Sequence, residues 1–180
     1  YYVYECSGEP GRVTGVVAIC PVNVLTGSDE AAAESVDALA AARAIAELKV
    51  QPRPVSLAYE ASPVMDIILG AAKEGASLYA VTDPAGITHR AWEVKREDAV
   101  GAIRAMLDQA PDPVFAGDSA YVAALAGASQ ILADEARAAG AYSGKEPFNF
   151  AVAVLFPAAQ VSGSAPQVPT GLLTHQVSRF

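Results

Sequence analysis

The chain has 180 residues, of which 52% are hydrophobic and 18% charged, and its formal net charge is −8. This apolar content is ample for a buried core and excludes a disordered chain. The negative charge and the lack of a basic stripe argue against binding to nucleic acid or to an anionic membrane surface. No apolar run reaches the roughly 18 residues that a membrane helix needs.

The chain begins Tyr-Tyr-Val-Tyr, with neither a methionine nor a signal-peptide pattern. We therefore expect one domain, residues 1–180, that is a fragment of a longer protein. The two cysteines, Cys6 and Cys20, lie in apolar β-like segments. Two small buried thiols in a reducing cytosol explain them best, which predicts a cytoplasmic location. A disulfide is the alternative, because the two segments can form a hairpin; a catalytic thiol has less support, because no histidine is near in sequence.

The N-terminal third predicts a hairpin followed by a helix. Residues 1–6 and 12–22 are rich in Tyr, Val and Ile, and the Gly- and Pro-containing stretch Ser7–Gly11 separates them as a five-residue loop. Ser28 begins a helix, because acidic residues crowd the first turns and suit the positive helix end. Pro52 ends this helix, since a proline cannot donate the next backbone hydrogen bond.

The middle of the chain continues the alternation of strands and helices. Residues 55–59 predict a short strand, and Pro63 suits the first position of a second helix that Gly75 ends. On this helix Val64, Ile67, Ile68 and Ala71 share one apolar face. Residues 77–82 and 87–94 predict a hairpin around the turn composition Asp-Pro-Ala-Gly.

The C-terminal half predicts two further helices and a central strand. Residues 148–156 are apolar on both alternating faces, which is typical of a strand covered on both sides. Taken together, the order of elements predicts a mixed α/β fold in which a mixed sheet is flanked by helices. The remaining predicted elements are helix 96–109, strand 114–116, a helix from Asp118 or Ser119 to Ala139 that Gly140 ends, a flexible loop 160–171 and an extended segment 172–180.

The junction Gly117-Asp118-Ser119 is the best candidate for a functional site. Here an apolar run stops and an alanine-rich helix begins. Such a junction gathers free backbone N–H groups at a positive helix end, which suits a phosphate or a nucleotide. Asp118 would accept a proton from a substrate hydroxyl, and Ser119 would bind the anion. The simpler interpretation is an ordinary helix cap. No Walker lysine follows, which excludes a P-loop.

The chain has two histidines, His89 and His175. Because loops carry function more often than strands, His175 is the better catalytic candidate of the two. His89 lies on a hairpin strand, where a hydrogen-bonding role in the structure is the simpler interpretation and ligand binding the alternative. Neither histidine has a cysteine or carboxylate at ligand spacing, so the sequence predicts no metal site.

Four segments resemble, in the same order, landmarks of a bacterial family of domains of unknown function, numbered one thousand and fifteen. Residues 12–17 are similar to its Arg-Thr-Gly strand, and residues 54–59 resemble its Ser-Pro-Ile-Phe-x-Leu-Tyr strand. Residues 83–94 resemble its Asp-x-x-Gly-x-x-His-x-x-Trp hairpin, and residues 172–177 its Leu-Pro-Thr-His-Arg segment. Genes of this family often lie beside serine-biosynthesis genes. The resemblance runs through nearly all of the chain.

The chain departs from the family at its signature, Ala-Asp-Gly-His-His-Arg-Tyr. Residues 115–121 read Phe-Ala-Gly-Asp-Ser-Ala-Tyr, without the histidines or the arginine. A His-Glu pair of the family aligns with Asp29-Glu30, and Gln176 replaces an arginine after His175. The signature itself resembles that of ParB-like and sulfiredoxin-like nucleotide-binding domains, which include ADP-dependent serine kinases. In such sites basic residues would neutralise the transferring phosphate.

The missing side chains imply a degenerate site. We therefore expect a binding or regulatory domain that takes a small anion, phosphate or a nucleotide. One alternative is a nucleotide-dependent phosphotransferase, and another is a purely structural domain. The catalytic candidates are Asp118, Ser119 and His175, and the ligand-binding candidates are Gly117, Ser119, His89 and Glu30.

Overall fold

The computed structural model describes residues 1–9, 11–25, 36–109, 114–115 and 119–161. Their strands and helices alternate, which confirms the predicted mixed α/β class. Short 3₁₀ turns, Pro147–Asn149 and Ala158–Gln160, flank the last strand. The strands are β1 (Tyr2–Gly8), β2 (Gly11–Pro21), β3 (Val55–Tyr59), β4 (Tyr79–Thr82), β5 (Thr88–Glu93), β6 (Val114–Phe115) and β7 (Phe150–Pro157), and the helices are α1 (Val22–Leu25), α2 (Val36–Leu48), α3 (Pro63–Ala72), α4 (Glu97–Gln109) and α5 (Ser119–Ala138).

Contacts within the chain group these elements into two compact units. The first unit holds residues 1–18 and 56–116 together with the end of β7. The second unit holds residues 19–55 and 117–153. The single domain expected from the sequence stays a prediction.

The sheet of the first unit has the strand order β4-β5-β1-β2-β7-β3-β6. β1 pairs antiparallel with β2 on one side and with β5 on the other. The predicted hairpin of β1 and β2 is therefore confirmed, but its five-residue loop is wrong. Pairing continues to Gly8 opposite Gly11, which has a φ of 121°. Glycine adopts this backbone conformation without a steric penalty, so the chain reverses within a shorter turn.

β7 is the central strand that the sequence predicted. It lies between β2 and β3, and every residue from Ala151 to Pro157 is buried. Gly15 on β2 faces this strand closely. A Cβ atom at Gly15 would lie 2.7 Å from the Leu155 carbonyl oxygen and 2.8 Å from the Phe156 ring. The packing of β7 therefore requires glycine at this position.

α3 begins at Pro63 as predicted, with Ser62 as its N-cap residue. Its apolar face, however, does not meet the core. Met65 and Leu69 are the buried residues, whereas Ile67 is 71% exposed. The face bearing Ile67 lines an open groove of about 630 Å³ together with Leu78 and Trp92. Helical periodicity groups apolar residues on one face but does not say which face meets the sheet.

The second unit contains α2 and α5, which pack closely against each other. A Cβ atom at Gly127 would lie 3.0 Å from the Cβ of Ala42. Small side chains on both helices permit this approach. α5 ends at Ala138, and Gly140, with a φ of 67°, follows it as the sequence predicted. The helix α1 was not predicted, and the loop 160–171 and segment 172–180 fall outside the described residues apart from Gln160 and Val161.

Candidate functional site

Two of the predicted site residues are described by the structure. Ser119 is the exposed first residue of α5, in the second unit. His89 is buried on β5, in the first unit. The other four lie outside the described residues, so their roles stay predictions. They are Gly117, Asp118, His175 and Glu30.

His89 has a protein partner at each ring nitrogen. Its Nδ1 lies 2.7 Å from the Tyr4 hydroxyl, and its Nε2 lies 3.3 Å from Asp83 Oδ2. Burial raises the pKa of Tyr4 well above its ordinary value, so this hydroxyl stays protonated and donates to Nδ1. The proton of a neutral His89 then resides on Nε2 and is donated to Asp83. The residue is 2% exposed.

Asp83 connects this histidine to the turn between β4 and β5. Its Oδ1 accepts hydrogen bonds from the N–H groups of Ala85 and Ile87, each at 2.9 Å. These bonds and the bond to His89 lower the pKa of Asp83. Gly86, with a φ of 81°, completes the turn. His89 therefore joins the turn to Tyr4 on β1, which is a structural role; ligand binding by His89 stays a prediction.

On the opposite face of β1, Glu5 is surrounded by basic side chains. Its carboxylate is 4% exposed and lies 3.1 Å from Lys73 Nζ, 3.6 Å from Arg90 Nη1 and 3.8 Å from Arg12 Nε. Thr14 Oγ1 donates to Glu5 Oε2 at 3.4 Å and accepts from Lys73 at 3.2 Å. We call these five residues the Glu5 cluster. Several cations stabilise a carboxylate that would otherwise be costly to bury.

The Glu5 cluster carries more positive than negative charge. Three cations face one carboxylate, which leaves an excess of two positive charges in a chain whose net charge is −8. The side chains of Arg12 and Arg90 are 66% and 38% exposed, and they contact Glu5 through Nε and Nη1 respectively. A guanidinium group has five N–H donors, so both arginines present further donors to an incoming anion.

Sequence reasoning missed this cluster. Arg12 lies on β2, Lys73 directly follows α3 and Arg90 lies on β5; they are 7, 68 and 85 residues from Glu5. Only β1 offered a local signal, because Glu5 is a charged residue within an otherwise apolar strand. An acidic residue in a buried strand indicates basic partners elsewhere in the chain, although it does not identify them.

The two cysteines are free thiols. The strand register places Val13, not Cys20, opposite Cys6. Cys6 is buried, and the Cys20 Sγ donates to the Ala151 carbonyl oxygen at 3.6 Å. Burial raises the pKa of both thiols, that of Cys20 to about 11. Such thiols are poor nucleophiles, because the thiolate is the reactive form.

The described residues include no group of three or more His, Cys, Asp or Glu side chains arranged to hold a metal ion. Within the same part of the chain, none of the helices has the length and apolar character needed to cross a membrane.

Comparison with known proteins identifies a family. The model of a protein family of unknown function, DUF1015, matches residues 35–162, well over half of the chain. The chain belongs to this family. The matched region includes the β4–β5 hairpin with His89, whereas the strand carrying Arg12 lies before it. Neither the curated proteins nor the solved structures yielded a match.

Proposed function

We propose that this domain binds a small anionic ligand, and that the Glu5 cluster is the binding site. The observation that carries the proposal is the excess of two positive charges around one buried carboxylate. Arg12 and Arg90 reach solvent from this cluster, and a guanidinium group suits the oxygens of a phosphate or carboxylate. Inorganic phosphate and the phosphates of a nucleotide share this chemistry.

Binding, rather than phosphate transfer, is the function we propose. The cluster offers cations that would neutralise an anion, but its one carboxylate is occupied by Lys73 and Thr14. Glu5 is therefore poorly placed to take a proton from a substrate. The anion site predicted at residues 117–119 stays a separate prediction, and so does the cytoplasmic location.

The proposal is tested by thermal unfolding in the presence of inorganic phosphate, ADP or ATP at millimolar concentration and constant ionic strength. A ligand that binds only the folded state raises Tm. The double variant R12Q/R90Q should lose most of this rise while Lys73 still pairs with Glu5. The matched control is Arg104→Gln, which removes an exposed arginine on α4 outside the cluster. This variant should show the same ligand-induced increase in Tm as the wild type.

Two results would contradict the proposal. One is the absence of any Tm increase with all three anions. The other is an equal increase in the wild type and in R12Q/R90Q. Ser119→Ala distinguishes the two candidate sites, because it should weaken binding only if the anion occupies the junction at the start of α5.

A further inference from the structure

The two carboxylate oxygens of Glu5 differ in their hydrogen bonds. Oε2 accepts from Lys73 Nζ at 3.1 Å and from Thr14 Oγ1 at 3.4 Å. Oε1 lies near two guanidinium groups, 3.6 Å from Arg90 Nη1 and 3.8 Å from Arg12 Nε. Both of these distances are too long for a hydrogen bond. Oε1 therefore has two cations beside it but accepts no hydrogen bond from either.

The Oε1 atom of Glu5 also keeps contact with solvent. Within the described part of the chain, the fully buried side-chain oxygens without a hydrogen-bond partner are the hydroxyls of Tyr59 and Tyr79. Glu5 Oε1 lacks a partner as well but is not among these fully buried atoms. The 4% of the Glu5 side chain that stays exposed thus includes Oε1. An acceptor without a donor in a largely buried side chain indicates that the donor comes from outside the protein.

The cations of the Glu5 cluster have donors left for the remaining oxygens of a ligand. Lys73 Nζ has three N–H groups and uses two of them, on Glu5 and on Thr14. Arg12 and Arg90 make no hydrogen bond to Glu5, and both reach solvent. The excess of two positive charges matches a ligand with two negative charges. The cluster therefore suits a dianion that has several acceptor oxygens and one donor.

We infer that the Glu5 cluster selects inorganic phosphate in the form HPO₄²⁻, whose P–OH group donates to Glu5 Oε1. The other three oxygens accept from Arg12, Arg90 and Lys73. This inference rests on the anion site proposed above and makes Glu5 its specificity-determining residue. Glu5 accepts a hydrogen bond in this arrangement, and no proton is transferred to it.

Sulfate is the natural comparison, because it has the same tetrahedral shape and the same charge as HPO₄²⁻ but carries no proton. One of its oxygens would face Glu5 Oε1 as acceptor against acceptor, which leaves both without a donor. A site built to receive a hydrogen bond rejects a ligand that lacks the donor. ADP should also bind more weakly than phosphate at pH 8, because phosphate groups in ester linkage have lost their second proton at this pH.

Isothermal titration calorimetry at pH 8 and constant ionic strength tests the inference with phosphate, arsenate and sulfate. Phosphate and arsenate, which both carry a proton at this pH, should bind about 10-fold more tightly than sulfate, or better. Glu5→Gln should lose most of this preference, because the amide offers an N–H group to an unprotonated oxygen. The matched control is Glu74→Gln, which removes the same charge at an exposed position outside the cluster and should keep the preference.

The outcomes separate this inference from the proposed anion site. If sulfate binds to the wild type as tightly as phosphate and arsenate do, the inference is overturned while the anion site stands. If none of the three anions binds, both fail. A folded Glu5→Gln variant that keeps the full preference for phosphate also overturns the inference. The comparison of anions in the wild type decides the question even if this variant does not fold.

Discussion

The side-chain amide of Gln51 forms two hydrogen bonds with the backbone of Val152. Gln51 Oε1 accepts from the Val152 N–H at 2.8 Å, and Nε2 donates to the Val152 carbonyl oxygen at 3.0 Å. Nε2 also donates to the Arg53 carbonyl oxygen at 2.8 Å. Gln51 is 2% exposed. Its side-chain amide therefore provides hydrogen-bond partners for the buried backbone N–H and carbonyl groups of Val152 on β7, as a neighbouring β-strand would.

Replacing Gln51 with leucine should destabilise the protein strongly. The substitution removes the hydrogen bonds that Gln51 makes with the buried N–H and carbonyl groups of Val152. We expect a loss on the order of 3 kcal/mol in the free energy of unfolding. Urea denaturation with an unchanged m-value measures it. Gln130→Leu, at an exposed position of α5, should change stability little. Equal effects of the two substitutions would contradict the role assigned to Gln51.

Gly15 and Gly101 should respond oppositely to alanine. At Gly15 a methyl group would collide with the Leu155 carbonyl and the Phe156 ring, so Gly15→Ala should cost about 1–3 kcal/mol. At Gly101, an exposed position within α4, nothing lies within 4 Å of an added Cβ. Gly101→Ala should therefore stabilise the protein by about 0.5–1 kcal/mol. Thermal unfolding of both variants measures these two effects. If Gly15→Ala left Tm unchanged, β7 would have to shift to accommodate the added methyl group.

The Asp83 carboxylate should make stability depend on pH in the acidic range. Hydrogen bonds from Ile87 and His89 lower its pKa below the ordinary 3.8 in the folded state. The charge therefore stabilises the fold above pH 3.8, and this contribution is lost as the pH falls through the lowered pKa. Asp83→Asn should be less stable than the wild type at neutral pH, and the difference in Tm should narrow on acidification. Asp108→Asn, at an exposed position of α4, is the control. A Tm difference for Asp83→Asn that stays constant down to pH 2 would refute this account.

Neither cysteine should be alkylated readily in the folded protein. Because burial raises the pKa of Cys20 to about 11 and also raises that of Cys6, both thiols are protonated at pH 8. Mass spectrometry after iodoacetamide treatment should find little label at pH 8, more on Cys20 as the pH approaches 11, and full label after unfolding. A native mass lower by two hydrogens would show a disulfide instead, and rapid labelling at pH 8 would show that the thiols are accessible.

Local signals in the sequence predicted much of the fold. Pro63 predicted the start of α3, and Gly140 predicted the end of α5. The doubly apolar segment after residue 147 predicted β7, an interior strand of the sheet. Tertiary relationships were not predictable in this way. The three cations around Glu5 come from β2, from β5 and from the residue that follows α3. Such features depend on how distant segments meet, which a single sequence does not record.

The alternation of side chains along β1 also disfavours pairing of this strand in the wrong register. Tyr4 faces His89 and Phe156, while the next residue, Glu5, faces the basic side chains on the other side of the sheet. A slip of one residue in strand pairing would exchange these faces. It would bury the carboxylate beside an aromatic cluster without its cations, at a cost of about 3–5 kcal/mol. The same charged contacts thus select the correct alignment of the N-terminal strand.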